Sequence, residues 1–551
     1  MKYWPQWTRR VVIEGTGRDP LGLSRVSDSL TDFLLPCIIT TTDRARYYSF
    51  YTWAITDIET QYGAAAHQIP FEEEFRRREA AFALASWLGK TKFPLVGKVK
   101  VSTVLGQTSP GEMINTDFTV LPSNPTGGFG QYYQGCLQNL GLVRRDEGPL
   151  SWVPTERGRP FAEAFAAASK KAPYMTGDWR NKVRVPHKVL RDSADLFSLD
   201  GIRRPAANEE RSLLLKLFFN LGEQPSATMP LNRQATLGQF LSVLKAYEEA
   251  GIQVKRQDVD RAVVYWPHYY GSLYSETDRH LSYTSTSAFS KVHMFWQQFC
   301  IHQFFAFALE EFLAAVLEAL ARHPEGLART ELLDSLLDKG FGDDLRQSLG
   351  VKCDRPTAMF AALGISTIPD AVVSQSVAMK FGAKHPFNEW AVYESKKTAP
   401  QTHLGRALLL LAMVYGKWRG GAGGDVFHDM ASEVDVKHEL WIGTGFEWID
   451  AWLREDLNWS SVCERLLDWL VLRHDQVKFQ KRKLDASWLE FADGRYSKQQ
   501  DIEPDFRSSR HHNAATIMYD LGLLEYDSDS ETWSLTGEGK QLLNQVIRAR
   551  T

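Results

Sequence analysis

Two stretches of this chain are copies of one another. Leu140 to Arg159 and Leu521 to Lys540 align without a gap at a constant offset of 381 residues. Leu140, Gly141, Leu142, Asp146, Trp152, Thr155 and Gly158 meet Leu521, Gly522, Leu523, Asp527, Trp533, Thr536 and Gly539, seven identities in 20 positions. Both glycines and the tryptophan recur, and these residue types match least readily by chance. Each copy carries the same physics. A helix runs into Leu-Gly-Leu, where the glycine can adopt the left-handed conformation that closes a helix. A short strand is predicted next, over Leu142 to Arg145 and Leu523 to Tyr526. A polar turn follows (Asp146 to Pro149; Asp527 to Ser530), and then a second strand that carries the tryptophan inward. Thr155 and Thr536 stand where a hydroxyl caps the final helix.

Helix, two-stranded ribbon, Thr-x-x-Gly, helix is the back half of a winged helix. It resembles the wing of MarR-like transcriptional regulators, and the resemblance implies a fold more than a function. In DNA-binding winged helices the helix before the wing enters the major groove. In the C-terminal copy that helix is expected to open Arg507-Ser508-Ser509-Arg510-His511-His512-Asn513. Arg507, Arg510 and Asn513 suit phosphates and base edges. Upstream lies the densest basic run, Lys478-Phe479-Gln480-Lys481-Arg482-Lys483, which adds Lys478, Lys481, Arg482 and Lys483 as candidate nucleic-acid contacts. The N-terminal copy is poorer: its helix reads Gly130-Gln131-Tyr132-Tyr133-Gln134-Gly135, with Arg144 and Arg145 at the wing. The plainer alternatives are that winged helices here join proteins, and that the lysine run is a solvated helix face.

A chain of 551 residues exceeds one ordinary core. The reading is a mainly α, multi-domain helical protein with two or three winged-helix domains. The expected divisions are a helical domain at 1–124, a winged helix at 125–205, a central helical domain at 206–320, a third winged-helix or helix–turn–helix region at 321–400, a helical domain at 401–470 and a C-terminal winged helix at 471–551. Val26, Leu30, Phe33 and Leu34 share one face of a first helix ended by Pro36. Thr40-Thr41-Thr42 offers a cap for a second helix, striped by Tyr48, Tyr51, Ile55, Ile58 and Tyr62. A third helix is expected from Phe71 to Leu88, mostly loop over residues 90 to 130, and one or two long helices from Thr284 to His323. Gly326 turns the chain before a helix starting at Arg329 or Thr330. His403 to Trp418 reads as helix, Gly420 to Gly424 as a linker, and Phe446 to Val477 as helices, with capping-box spacing at Ser461 and Glu464.

Charge excludes the simplest nucleic-acid signature, since the net value is only −3 and any contact must come from local clusters. Cys37, Cys136, Cys300, Cys353 and Cys463 are scattered, which fits a reduced cytoplasm and neither a disulfide framework nor zinc. The N-terminus lacks the apolar core of a signal peptide. The apolar stretch Val292 to Leu320 carries His293, Gln297, Gln298, His302, Gln303, Glu310 and Glu311, so it is read as a buried helix and no membrane span. No metal site is expected from the 14 histidines, and His511-His512 point in different directions on a helix. Asp501 to Asp505 resembles the acidic start of some nucleases but lacks the Glu-x-Lys strand that completes such a site. No catalytic residue, cofactor or metal is assigned. Arg25, Arg44 and Arg46 accompany Asp28, Asp32 and Asp43, read as inter-helix salt bridges, with an anion-binding surface beside Tyr47, Tyr48, Tyr51 and Trp53 as the alternative.

Gly22-Leu23-Ser24-Arg25-Val26 through Leu34-Leu35-Pro36 to Thr42-Asp43-Arg44-Ala45-Arg46-Tyr47-Tyr48-Ser49-Phe50-Tyr51 resembles the opening of uncharacterised bacterial proteins encoded in defence islands, near helicases, nucleases or ATPases. That resemblance implies a role in antiviral (anti-phage) defence and transfers no catalytic residue; taken with the winged-helix reading, the expectation is a cytoplasmic, non-catalytic DNA-binding or adaptor component of such a complex. Its partners would be DNA and protein subunits of the same operon. The alternatives are a pure assembly scaffold for a motor or nuclease subunit, and a nuclease whose site is assembled from distant residues.

Overall fold

The computed structural model describes residues 19–63, 71–147, 150–221, 228–275, 281–369, 388–397, 402–419, 430, 432–434, 442–481 and 487–551. Helices dominate and strands are few and short, so the chain is mainly α. At its centre runs one helix of 32 residues, Ser290–Ala321. Apolar residues occupy its whole circumference, so no side can face water, and it is buried on nearly every turn. It packs along His403–Trp418, whose residues Leu404 to Lys417 are all buried, and against Ser24–Leu34 and the wide-wound helix Asp260–Tyr270. Burying each large apolar side chain, such as Trp296 or Phe312, contributes roughly 1.5–3 kcal/mol.

Several of the polar groups buried on this helix are matched by partners on other elements. His302 Nε2 meets the Leu23 carbonyl at 2.9 Å. Gln303 exchanges two bonds with the Arg507 backbone, accepting from its N–H at 3.0 Å and donating to its carbonyl at 3.2 Å. Glu311 accepts from Arg406 at 2.9 Å and lies 2.7 Å from His403 Nδ1. Among the described residues no helix is long and apolar enough to cross a membrane.

Both repeated stretches fold as the same object, bond for bond. Ribbons form at Val143–Arg145 with Trp152–Pro154 and at Leu524–Asp527 with Thr532–Leu535. Trp152 and Trp533 are buried. Gly141 and Gly522 take φ 68° and 80°, the left-handed turn that lets the Leu142 and Leu523 amides reach back to Leu137 and Met518, both at 2.9 Å. Thr155 donates to the Gly141 carbonyl at 2.5 Å and accepts from the Gly158 amide at 3.0 Å. Thr536 does likewise with Gly522 at 2.8 Å and Gly539 at 2.9 Å. A Cβ on Gly158 would stand 2.0 Å from the Leu142 carbonyl oxygen, and one on Gly539 2.4 Å from that of Leu523. Both glycines are therefore set by close backbone approach.

The second ribbon has a third strand that comes from far away. Val254–Lys255 pairs antiparallel with Thr532 and Trp533, giving the sheet order 524–527, 532–535, 254–255. Thr228–Glu249, just before that strand, packs on the final helix Gly537–Arg550. Asp260–Tyr270, just after it, packs on His511–Asp520. One unit is thus assembled from 228–270 and 511–550, with all the intervening chain inserted. A related arrangement occurs inside the insertion. Leu327 bridges Tyr496 of the hairpin Leu489–Ala492 with Arg495–Lys498, and Arg329–Leu336 packs on Trp459–Lys481, the helix before that hairpin. The helical turn expected near Gly326 is present (φ 75°), but its ribbon lies outside 321–400.

Several local expectations are corrected. The second helix begins at Arg46 without a threonine cap; Thr42 Oγ1 instead accepts from the Ile39 amide at 2.8 Å. The stretch read as loop holds a helix, Lys98–Gly106, and a strand, Met113–Asn115, paired with Arg184–Pro186. Trp459–Lys481 is capped by Asn458, whose side chain accepts from Ser461 N–H at 2.9 Å, in place of the Ser461 and Glu464 box. Residues 420–424 lie outside the described residues. The buried apolar side chains from Leu21 to Val546 form one continuous cluster that runs across the expected domain divisions.

Candidate functional site

The second copy's helix, His511–Asp520, sits in the joint between the C-terminal unit and the first two helices. It starts later than expected. Residues 507–510 precede it, and Arg510 turns the chain into it at φ 64°. Every stage of this segment is tied down by the rest of the chain. Arg507 pairs with Glu310 at 2.9 Å. Arg510 donates to Asp32 at 2.6 Å and to the Ile38 carbonyl at 3.3 Å. Asn513 Nδ2 donates to the Thr40 carbonyl at 3.1 Å. Asp520 accepts from Arg44 Nε at 3.0 Å and from the Ala45 amide at 2.9 Å. Arg203 donates to the Tyr519 carbonyl at 2.6 Å. Ala514, Ala515, Ile517 and Met518 are buried, and His512 is the one residue of the helix with an exposed side chain.

Of the residues singled out in sequence, Arg510 and Asn513 are buried and bonded to the first two helices' connection, and Arg507, partly exposed, pairs with the central helix. Lys478 lies half-buried near the end of Trp459–Lys481, Lys481 is the last residue of that helix, and Arg482 and Lys483 lie outside the described residues. Asp505, from the acidic run, holds Tyr393 at 2.6 Å and Lys396 at 2.8 Å.

The N-terminal arginines make salt bridges between distant elements, with partners the sequence did not point to. Arg44 binds Asp520 and Asp200; Arg46 binds Glu210 at 3.0 Å. Both arginines are fully buried, as are Tyr47, Tyr48 and Tyr51, so they form no anion-binding surface. Burial alone would lower the Arg44 pKa, but Asp520 and Asp200 outweigh it and hold the group charged. Burial pushes Asp520 up, against the pull of Arg44.

The first copy is built alike but left open. Its helical segment, Phe129–Tyr133 continued by Gln134–Asn139, exposes Gln131, Gly135, Gln138 and Asn139. Arg144, Arg145 and Arg157 stand exposed on and beside its ribbon.

Where the two copies meet there is a cleft of about 350 Å³. Tyr132 of the first copy lines it together with His512, Asn513, Thr516 and Trp533 of the second and with Pro94, Leu95 and Val96. Thr40, Thr41 and Asp43 line it as well, as does Arg256, just after the third strand. Burial raises the Asp43 carboxyl to about 6, despite the opposing pull of Arg44. The Arg256 guanidinium lies 5.1 Å over the Phe93 ring and 5.9 Å over Tyr526, and its charge adds to the downward pull on Asp43. Of the lining residues, Asn513 was singled out in the sequence as a candidate contact and Trp533 as part of the repeat, whereas Arg256 carried no signal there. Among the described residues no group of three or more His, Cys, Asp or Glu side chains is placed to hold a metal ion.

No protein-family model matches this chain, and no curated protein and no solved structure shows a significant match to it.

Proposed function

We propose that this protein is a non-catalytic, DNA-contacting adaptor of a bacterial antiviral complex, built on winged-helix modules. The observation that carries this reading is the pair of matching helix–ribbon–helix units, of which the second gains a third strand in the order expected of a winged helix. On this reading the first unit is the one that meets a duplex. Its polar helix face is open and arginines flank its ribbon, whereas the corresponding helix of the second unit is covered. Asp146, Glu147 and Glu156 stand among these arginines, so few phosphates would be neutralised and the salt dependence would be shallow.

Fluorescence anisotropy with a labelled duplex tests the reading at salt concentrations between about 50 and 200 mM. Binding is expected, and Arg144→Glu combined with Arg145→Glu should weaken it about tenfold. A parallel reversal of Lys481, Arg482 and Lys483 measures the share of the basic run. If neither reversal changes affinity, DNA contact by these surfaces is refuted. The covering of His511–Asp520 favours a second reading, in which the modules join protein to protein. That reading predicts a stable complex with the products of adjoining genes and no affinity for DNA alone.

A further inference from the structure

Cys37 and Cys136 lie far apart in the chain, yet the fold brings their thiols within hydrogen-bonding reach of one another. Cys37 stands in the turn after Ser24–Leu34, at φ 63°, and Cys136 in Gln134–Asn139, the helical segment before the first ribbon. The turn is clamped through three successive carbonyls. Arg233 donates to that of Pro36 at 2.9 Å, Tyr48 to that of Cys37 at 2.5 Å and Arg510 to that of Ile38 at 3.3 Å. Tyr48 also packs edge-on against Tyr133, one turn ahead of Cys136, with centroids 5.4 Å apart.

The two thiols differ in setting. Cys37 is partly exposed and Cys136 is buried. Their hydrogen bond pulls the Cys37 pKa down and pushes that of Cys136 up, so Cys136 donates and Cys37 accepts. Burial and Asp32 oppose the fall at Cys37, and the Arg233 charge supports it. Arg233 is only 3% exposed and donates to the main-chain carbonyls of Pro36, Leu217 and Phe218. Among the described residues no carboxylate forms an ion pair with it, and Cys37 leads the groups that support its charge against burial. A buried cation without a carboxylate favours an anion beside it, and here that anion is a thiolate. Cys300, Cys353 and Cys463 lack such a neighbour, and burial raises all three.

We propose that Cys37 and Cys136 form a reversible dithiol–disulfide site that hydrogen peroxide oxidises. The Cys37 thiolate attacks one peroxide oxygen and the O–O bond breaks. Hydroxide leaves, to be protonated by solvent, and Cys37 becomes a sulfenic acid. The Cys136 sulfur then attacks the Cys37 sulfur, the S–O bond breaks, and the Cys136 proton leaves with the oxygen as water. Peroxide has then taken up two electrons, and two thiols have become one disulfide. The new bond ties the turn after the first helix to the helical segment of the first unit. The site does not rest on the DNA-contact reading.

Peroxide treatment of the full, reduced chain tests the site, read by thiol counting in denaturant and by mass spectrometry of unreduced tryptic peptides. Stoichiometric peroxide should remove two of the five thiols, link the Cys37 and Cys136 peptides within one chain, and be reversed by dithiothreitol. Cys136→Ser should stop at a Cys37 sulfenic acid that dimedone traps, and Cys37→Ser should leave Cys136 reduced. Limiting iodoacetamide at neutral pH should label Cys37 of the untreated chain about tenfold faster than any other cysteine. This last measurement and the peptide linkage need no variant, so they hold even if a substituted chain folds poorly. Survival of all five thiols overturns the proposal. So does a sulfinic acid at Cys37 without a linked peptide, a bond between two chains, a different linked pair, or first labelling at another cysteine.

Discussion

Buried charge is the costliest feature of this molecule at the residue scale, and it is concentrated where the chain's distant parts meet. Arg44 and Asp520 are both fully buried. Removing Arg44 leaves Asp520 uncompensated, so Arg44→Ala should cost about 3–5 kcal/mol, measured as a lowered urea midpoint. Replacing both at once, Arg44→Met with Asp520→Leu, should cost much less than the sum of the single changes. Glu79 gives a pH dependence. Burial raises its carboxyl from the ordinary 4.5 to about 8, against hydrogen bonds from Tyr51 and the Gly128 and Phe129 amides. The folded state therefore holds a proton that the unfolded chain has lost above pH 4.5. Its stabilising effect is complete below that value and falls away as pH climbs towards 8. Glu79→Gln should flatten this decline in denaturant melts taken across the same window. Neither group was visible as such in the sequence. Arg44 and Asp520 stand 476 positions apart, and nothing local in either distinguishes a buried pair from two surface charges.

Local elements were far more legible. The two ribbons, their glycine turns, the inward tryptophans and the threonine bonds were all readable, because each is decided by contacts within some twenty residues. The boundaries of Phe71–Leu88, read from an acidic-then-basic run, and of His403–Trp418 were equally clear. What escaped was anything set at long range. Val254–Lys255 is two residues long and carries no strand signal of its own, so its place beside Trp533 followed from no pattern. Arg507 seemed to open a helix because polar residues there suit a helix start, yet Gln303 and Glu310 hold that stretch extended against the central helix. The repeat itself makes a paired prediction. Gly158→Ala and Gly539→Ala should each destabilise by about 1–3 kcal/mol or more, because each new methyl group would collide with a carbonyl oxygen that cannot retreat. Alanine at Gly135, where a Cβ would meet nothing, is the control and should change the melting temperature little.

At the scale of the whole molecule, the core ignores the order of the sequence. Apolar contacts join 24–62, 159–219, 228–270, 290–321 and 511–550 into one cluster, and the buried ion pairs cross the same lines. Calorimetry should accordingly give one dominant unfolding transition, and a chain cut before residue 508 should lose it, because Arg44, Val254 and the faces of 228–249 would lose their partners together. Several independent transitions would refute this. The inserted strand has one more consequence, in time. On the ribosome Val254 and Lys255 emerge well ahead of Thr532 and Trp533, and at about 5–20 residues per second the interval is roughly 15 to 55 s. For that period a nascent chain displays an unpaired edge and the apolar side of a helix whose cover is still being translated. Until residues 511–550 have been made, that edge and that apolar side have no cover from their native partners.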